Sequence, residues 1–160
     1  MDKKIITYIL GWVLIVESIA MQIGTITSLI YKESNWIYFV IVGAASALVG
    51  FVLVKIMRRK NMVLYQKAGF AATALSWILL SLVGCLPFWI SGEIPTFIDA
   101  FFEIVSGFTT TGSTILENVE GLSHGMLIWR SFSVWLGGMG VIVSLLAFIQ
   151  KLGGSQNIYI

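Results

Sequence analysis

The sequence predicts an all-α integral membrane protein: four transmembrane helices plus one re-entrant helix that runs into a polar loop. Three observations predict it. Of 160 residues, 58% are hydrophobic and 11% are charged, against about 25% charged in an ordinary soluble domain. Four segments approach or exceed the roughly 20 apolar residues that a membrane span requires. A fifth apolar piece is too short to cross and ends in a threonine- and glycine-rich string.

The first predicted span covers residues 5–30. Lys3 and Lys4 precede it, and Ser18-Ile19-Ala20 resembles a small-x-small cleavage site. A signal peptide has an apolar core of only about 7–15 residues, so the length of this run predicts a retained helix. Glu17 lies near its middle and is expected to face the protein interior and pair there, as intramembrane acids do. The second span covers residues 36–56, the third about 67–90 and the fourth about 124–152. All four are helices, because lipid offers no partner for open backbone groups.

The interval 91–123 is different. The apolar piece 97–108 is short enough to re-enter the membrane without crossing it. Pro95-Thr96 marks its start and Asp99 falls in its first turn, where a negative charge favours the helix dipole. Gly107 and Gly112 punctuate its end. The chain therefore divides into two N-terminal helices (1–60), a helix–loop–helix unit (61–152) whose loop region is 94–118, and a tail (153–160).

Charge placement orients these elements. Arg58, Arg59 and Lys60, flanked by Lys55 and Lys67, lie between the second and third spans, and basic loops stay on the cytoplasmic side. Lys3, Lys4 and Lys151 then fall on that same side, so both termini are expected to be cytoplasmic. The opposite side carries Glu33, Glu93, Asp99, Glu103, Glu117 and Glu120 against Lys32. An acidic outer surface of this kind raises the local cation concentration. The net charge of +2 is too small to suggest a nucleic-acid partner.

The re-entrant helix dips in from the outer side, so its C-terminal end points toward the membrane centre with roughly half a negative charge. Straight after it come Thr109-Thr110-Thr111-Gly112-Ser113-Thr114. Filters that strip water from an ion use backbone carbonyls, and glycine lets the backbone aim them. A helix, a polar loop and a second helix in this order make a pore helix and filter loop.

Residues 102–116 resemble the first pore loop of the Trk-type potassium uptake proteins, relatives of the Ktr and HKT transporters. Ser123-His124-Gly125-Met126-Leu127-Ile128-Trp129-Arg130-Ser131 and Trp135-Leu136-Gly137-Gly138-Met139-Gly140 resemble that family's following helix, and the likeness extends over the whole chain. The resemblance implies four helix–pore–helix repeats around a pseudo-fourfold axis. It implies potassium as the ion passed through a shared filter in the bacterial plasma membrane, with no organic cofactor. Thr110, Thr111, Gly112, Ser113 and Thr114 would be this chain's share, and Gly112 the glycine that each repeat contributes. It also implies a cytoplasmic nucleotide-binding regulatory subunit. This sequence holds one repeat and is expected to be a fragment or truncated member, with a tetramerising subunit as the alternative. A non-conducting remnant or assembly partner is the alternative to a conducting unit.

Other residues take secondary roles. Arg130 lies about two turns into the fourth span; Glu103 is its expected partner, bracing the pore helix, with pairing to Glu17 or snorkelling to the outer water as the alternatives. Gly137, Gly138 and Gly140 read as close helix packing or as a hinge. His124 has no second ligand in the sequence and reads as interfacial rather than metal-binding. Trp36, Trp89 and Trp129 fit an aromatic belt. Cys85 is a lone thiol in an apolar run. There is no HExxH, no pair of intramembrane acids and no serine with a histidine base in a plausible frame, so no enzyme is expected.

Overall fold

The computed structural model describes the backbone of residues 3–57 and 66–153. Arg58, Arg59, Lys60 and the tail beyond Gly153 lie outside the described residues, as do the side chains of Lys67 and Lys151. All regular elements described are helices: α1 (Lys3–Ile30), α2 (Trp36–Met57), α3 (Gln66–Gly84), α4 (Leu86–Ser91), α5 (Phe97–Phe108) and α6 (His124–Gly153), with a single 3-10 turn at Val119–Gly121. Four helical stretches are long and apolar enough to cross a membrane: Lys3–Ile30, Trp36–Met57, Ala68–Ser91 and His124–Ile142. The helix α5, with 12 residues, is about 18 Å long at 1.5 Å per residue and does not reach across the roughly 30 Å hydrocarbon core.

The third span is interrupted, where the sequence suggested a continuous helix over 67–90. It stops at Gly84 and restarts at Leu86. Pro87 sits in the first turn of α4; lacking an N–H, it cannot donate back into the preceding turn. Gly84 at the break is buried, and its carbonyl has a partner: the Trp129 indole N–H donates to it at 2.9 Å.

α1 and α2 cross where Gly11 meets Gly50. A Cβ on Gly11 would lie 2.9 Å from the Gly50 carbonyl oxygen, and one on Gly50 would lie 2.6 Å from the Gly11 oxygen. Small residues are what let membrane helices approach this closely. The core draws on every α-helix: Met21 of α1, Phe39 of α2, Trp77 of α3, Phe88 of α4, Ile104 and Phe108 of α5, and Met126 and Trp129 of α6. Trp129 is fully buried and so belongs to this core rather than to an aromatic belt. Its polar N–H has a protein partner, so it has no need of the interface. Trp36 and Trp89 are exposed.

Outward faces are apolar: Leu48 and Phe51 of α2 are 68% and 62% exposed, the pattern of helices solvated by lipid or by further membrane helices.

Candidate functional site

The site begins with the helix α5. Thr96 is extended, and its hydroxyl oxygen accepts the Asp99 N–H at 3.2 Å, an N-cap that starts the helix at Phe97. The buried face of α5 carries Ala100, Glu103, Ile104, Ser106, Gly107 and Phe108. Glu103 and Ser106 are three residues apart, hence neighbours on one helix face, and both reach the loop that follows.

The chain turns sharply at the end of α5. Thr109 N donates to Val105 O at 2.9 Å and Thr110 N to Gly107 O at 2.9 Å. The Ser106 carbonyl receives two N–H groups, from Thr111 at 3.0 Å and from Gly112 at 3.3 Å. Two residues have positive φ, Thr110 at 58° and Gly112 at 77°. Glycine takes this conformation without strain, whereas threonine does so at a steric penalty that the surrounding hydrogen bonds must offset. Thr109 Oγ1 lies 2.8 Å from Thr111 Oγ1. Residues 109–115 are all exposed, whereas the last three residues of α5, Ser106, Gly107 and Phe108, are buried.

The back of the loop is held by side chains. Glu103 Oε2 accepts from Thr114 Oγ1 at 3.0 Å and from Ile115 N at 3.1 Å. Its other oxygen accepts from Arg130 Nε. The expected Glu103–Arg130 pair is therefore present, and it is one half of a bridge from α6 through α5 to the loop. Ser106 Oγ donates to the Ser113 carbonyl at 2.6 Å.

The α6 glycines seat this assembly. A Cβ on Gly137 would run into the backbone of Phe108 at the end of α5, one on Gly138 would stand 3.8 Å from Thr110 Cγ2, and one on Gly140 would stand 3.1 Å from the Trp77 ring. Each of the three thus faces a different neighbour, and Gly138 faces the loop itself.

Of the acids Glu33, Glu93, Asp99, Glu103, Glu117 and Glu120, three hold backbone groups. Glu33 accepts from His124 N at 2.8 Å, Gly125 N at 3.2 Å and His124 Nδ1 at 2.8 Å. Partial burial pushes its carboxyl up, but these hydrogen bonds and the His124 charge outweigh it and leave it below the usual value of 4.5. His124 therefore has a carboxylate partner, which the sequence did not suggest, and its ring stacks on Tyr31 at 3.8 Å. Glu93 accepts from Ser123 N at 3.0 Å and from Asn35 Nδ2. The first free N–H groups of α6 are thus capped by loops from elsewhere in the chain. Glu103 is the third such acid; Glu117 and Glu120 are exposed.

Glu17 does not pair as expected. Its side chain is buried, and neither carboxylate oxygen meets a hydrogen-bond partner among the described residues. It lies behind α5, where Gly84, Ile104 and Phe108 converge. Among the described residues no cluster of His, Cys, Asp and Glu suits a metal ion.

Residues 36–159 match the family described as TrkH, cation transport protein. The TrkH potassium uptake protein of Escherichia coli is 37% identical over 162 aligned positions, covering 99% of this chain and 33% of that protein. The Escherichia coli TrkG potassium uptake protein is 34% identical, covering 98% and 33%. An uncharacterized cation transporter of Methanocaldococcus jannaschii is 36% identical, covering 89% and 30%. The crystal structure of the potassium transporter TrkH from Vibrio parahaemolyticus superimposes with a TM-score of 0.88 at 32% identity, over 98% of this chain and 34% of that one. This chain thus spans about a third of the length of these relatives. With the family matched over far more than half of its residues, and with four apolar helices and a re-entrant helix to account for, the chain belongs to the TrkH family of cation transport proteins.

Proposed function

We propose that this chain supplies one pore-loop repeat of a potassium uptake transporter in the bacterial plasma membrane. Residues Thr110, Thr111, Gly112, Ser113 and Thr114 form its share of the filter, whose backbone carbonyls replace water around potassium. The observation that carries this reading is the loop itself: residues 109–115 are exposed, and the N–H groups of Thr111 and Gly112 are tied back to Ser106 on the buried face of α5. In a planar trans peptide the N–H and C=O point in opposite directions. The carbonyls of Thr110 and Thr111 therefore face away from α5, toward the open side.

One loop cannot encircle an ion, so the remaining repeats, or other copies of such a unit, complete the ring. The Glu103–Arg130 bridge fixes the pore helix, and Gly137, Gly138 and Gly140 let α6 pack close behind it. Potassium is the cargo, and the role is transport rather than catalysis. Both termini are cytoplasmic in this reading, lipid surrounds the outer faces, and the regulatory nucleotide-binding subunit docks on the cytoplasmic side.

The test is growth rescue. Cells lacking potassium uptake receive either these 160 residues or a chimera in which they replace the matching third of Escherichia coli TrkH. Rescue at low potassium by the chimera, and not by the 160 residues, is the expected result. A chimera that inserts into the membrane and takes up no potassium overturns the reading.

A further inference from the structure

The five loop residues do not present their backbone alike. Thr111 N and Gly112 N are bound to Ser106 O, which sends the carbonyls of Thr110 and Thr111 outward. Ile115 N is bound to Glu103 Oε2 at 3.1 Å, which sends the Thr114 carbonyl outward by the same geometry. The peptide between Ser113 and Thr114 is reversed. Its carbonyl accepts from Ser106 Oγ at 2.6 Å and so points back into the pore helix, and its N–H faces the open side.

We propose that Ser106 is a positioning residue of this filter: its hydroxyl turns the Ser113–Thr114 peptide, so that the carbonyls of Thr110, Thr111 and Thr114 face the ion while that of Ser113 does not, and Ser113 shapes the filter without lending it an oxygen. This rests on the transport reading above. Ser106 is suited to the task. It is 5% exposed, it sits on a helix and not on the loop, and it grips the loop at three points, twice through its carbonyl and once through its hydroxyl. An outward N–H repels a cation that an outward carbonyl would bind. The direction of this one peptide therefore sets how many oxygens the repeat gives to the ion and at which level of the filter a gap falls. Glycine at 112, with φ of 77°, supplies the backbone freedom for the reversal immediately downstream.

Two measurements on the complete chimera test the proposal. In the first, a single 13C carbonyl is placed by semisynthesis at Thr111 or at Ser113 of the unsubstituted protein, and infrared spectra are compared in potassium and in lithium. The expected result is a potassium-dependent shift of the Thr111 band and none of the Ser113 band. A Ser113 band that moves as far as that of Thr111 overturns the proposal. If neither band responds while uptake is absent, the transport reading fails first and the proposal falls with it.

In the second, Ser106→Ala and Ser106→Thr are compared for potassium and sodium uptake. Loss of one hydrogen bond, about 1 kcal/mol, corresponds to a roughly fivefold change in the potassium-to-sodium ratio for Ser106→Ala, with the apparent KM for potassium moving more than the maximal rate. Ser106→Thr, which keeps the hydroxyl, is expected to restore both. An unchanged ratio in a Ser106→Ala protein present at normal level in the membrane overturns the proposal. Should Ser106→Ala not accumulate, the infrared comparison decides.

Discussion

Glu103 of the re-entrant helix and Arg130 of α6 are bonded side chain to side chain, with 20% of the Arg130 side chain exposed and none of that of Glu103. The second oxygen of the same carboxylate holds Thr114 and Ile115. One buried group thus ties the end of the loop at Thr114 and Ile115 to the helix behind it.

Removing one partner of a buried ion pair strands the other, at about 3–5 kcal/mol. Arg130→Ala is therefore expected to lower the membrane abundance and the uptake of the chimera sharply, and Glu103→Gln to do so less than Glu103→Ala, because the amide oxygen still accepts from Ile115 N. Exchanging the two residues is expected not to restore uptake, since arginine at 103 has no acceptor for Thr114 and Ile115. Full recovery in the exchanged double variant would show that Glu103 serves α6 and not the loop.

Gly137 and Gly138 are adjacent and should respond differently. A Cβ at 137 meets the Phe108 backbone, which cannot move aside as a flexible side chain would, whereas one at 138 has its nearest neighbour at 3.8 Å. Gly137→Ala is expected to destabilise by about 1–3 kcal/mol through overpacking, read as a lower melting temperature in detergent. Gly138→Ala should melt normally. Gly138→Leu reaches Thr110 and should alter uptake at near-normal abundance. Equal melting temperatures for Gly137→Ala and the unsubstituted protein would contradict this.

Glu33 gives a pH prediction. Its carboxyl is pulled below 4.5 in the folded chain, so the stability that it confers is fully present above the unfolded value and is lost as pH falls through the lower folded value. Glu33→Ala is expected to weaken the protein at neutral pH by about 0.5–2 kcal/mol, the usual worth of a helix cap. The difference between the two proteins should close in acid, below about pH 4.5. Melting curves of both proteins between pH 7 and pH 3 check this; a difference that widens in acid would count against the cap.

Glu17 places two oxygens among apolar neighbours without a hydrogen-bond partner among the described residues. Burying a polar group in that way costs roughly 1–3 kcal/mol, so Glu17→Met is expected to raise the melting temperature and to leave potassium uptake intact. Loss of uptake in a more stable protein would show that Glu17 takes part in transport.

Much of this was legible in the residues. Thr96 and Asp99 mark the start of α5, and the two ends of that helix fall where its apolar run begins and ends. Glu103 and Arg130 found each other because a membrane interior leaves a charge few alternatives. The break in the third span had a signal, Pro87, masked by the apolar continuity around it. Trp129 read as an interfacial ring because sequence shows the distance to a span end and not which side of a helix faces the core. The caps on α6 were not legible: Glu33 and His124 are 91 residues apart, and an acid that caps a distant helix looks like any other outer acid. The reversal at Ser113 depends on a single side-chain hydrogen bond, which no spacing rule announces.

If the backbone of this loop faces the ion, as proposed, Gly112 is the residue at which this is most directly measured. Its φ is 77°, and beyond its two chain neighbours no atom of this chain lies within 4 Å of where a Cβ would stand. Gly112→Val therefore meets no packing obstacle within this chain, but a β-branched residue does not hold this conformation, so the substitution acts by redirecting the backbone of the loop. Potassium uptake by the chimera should be lost or should fall at least tenfold (about 1.4 kcal/mol), with membrane abundance and melting temperature near those of the unsubstituted protein. Gly112→Val with undiminished potassium uptake and unchanged preference over sodium would contradict the account.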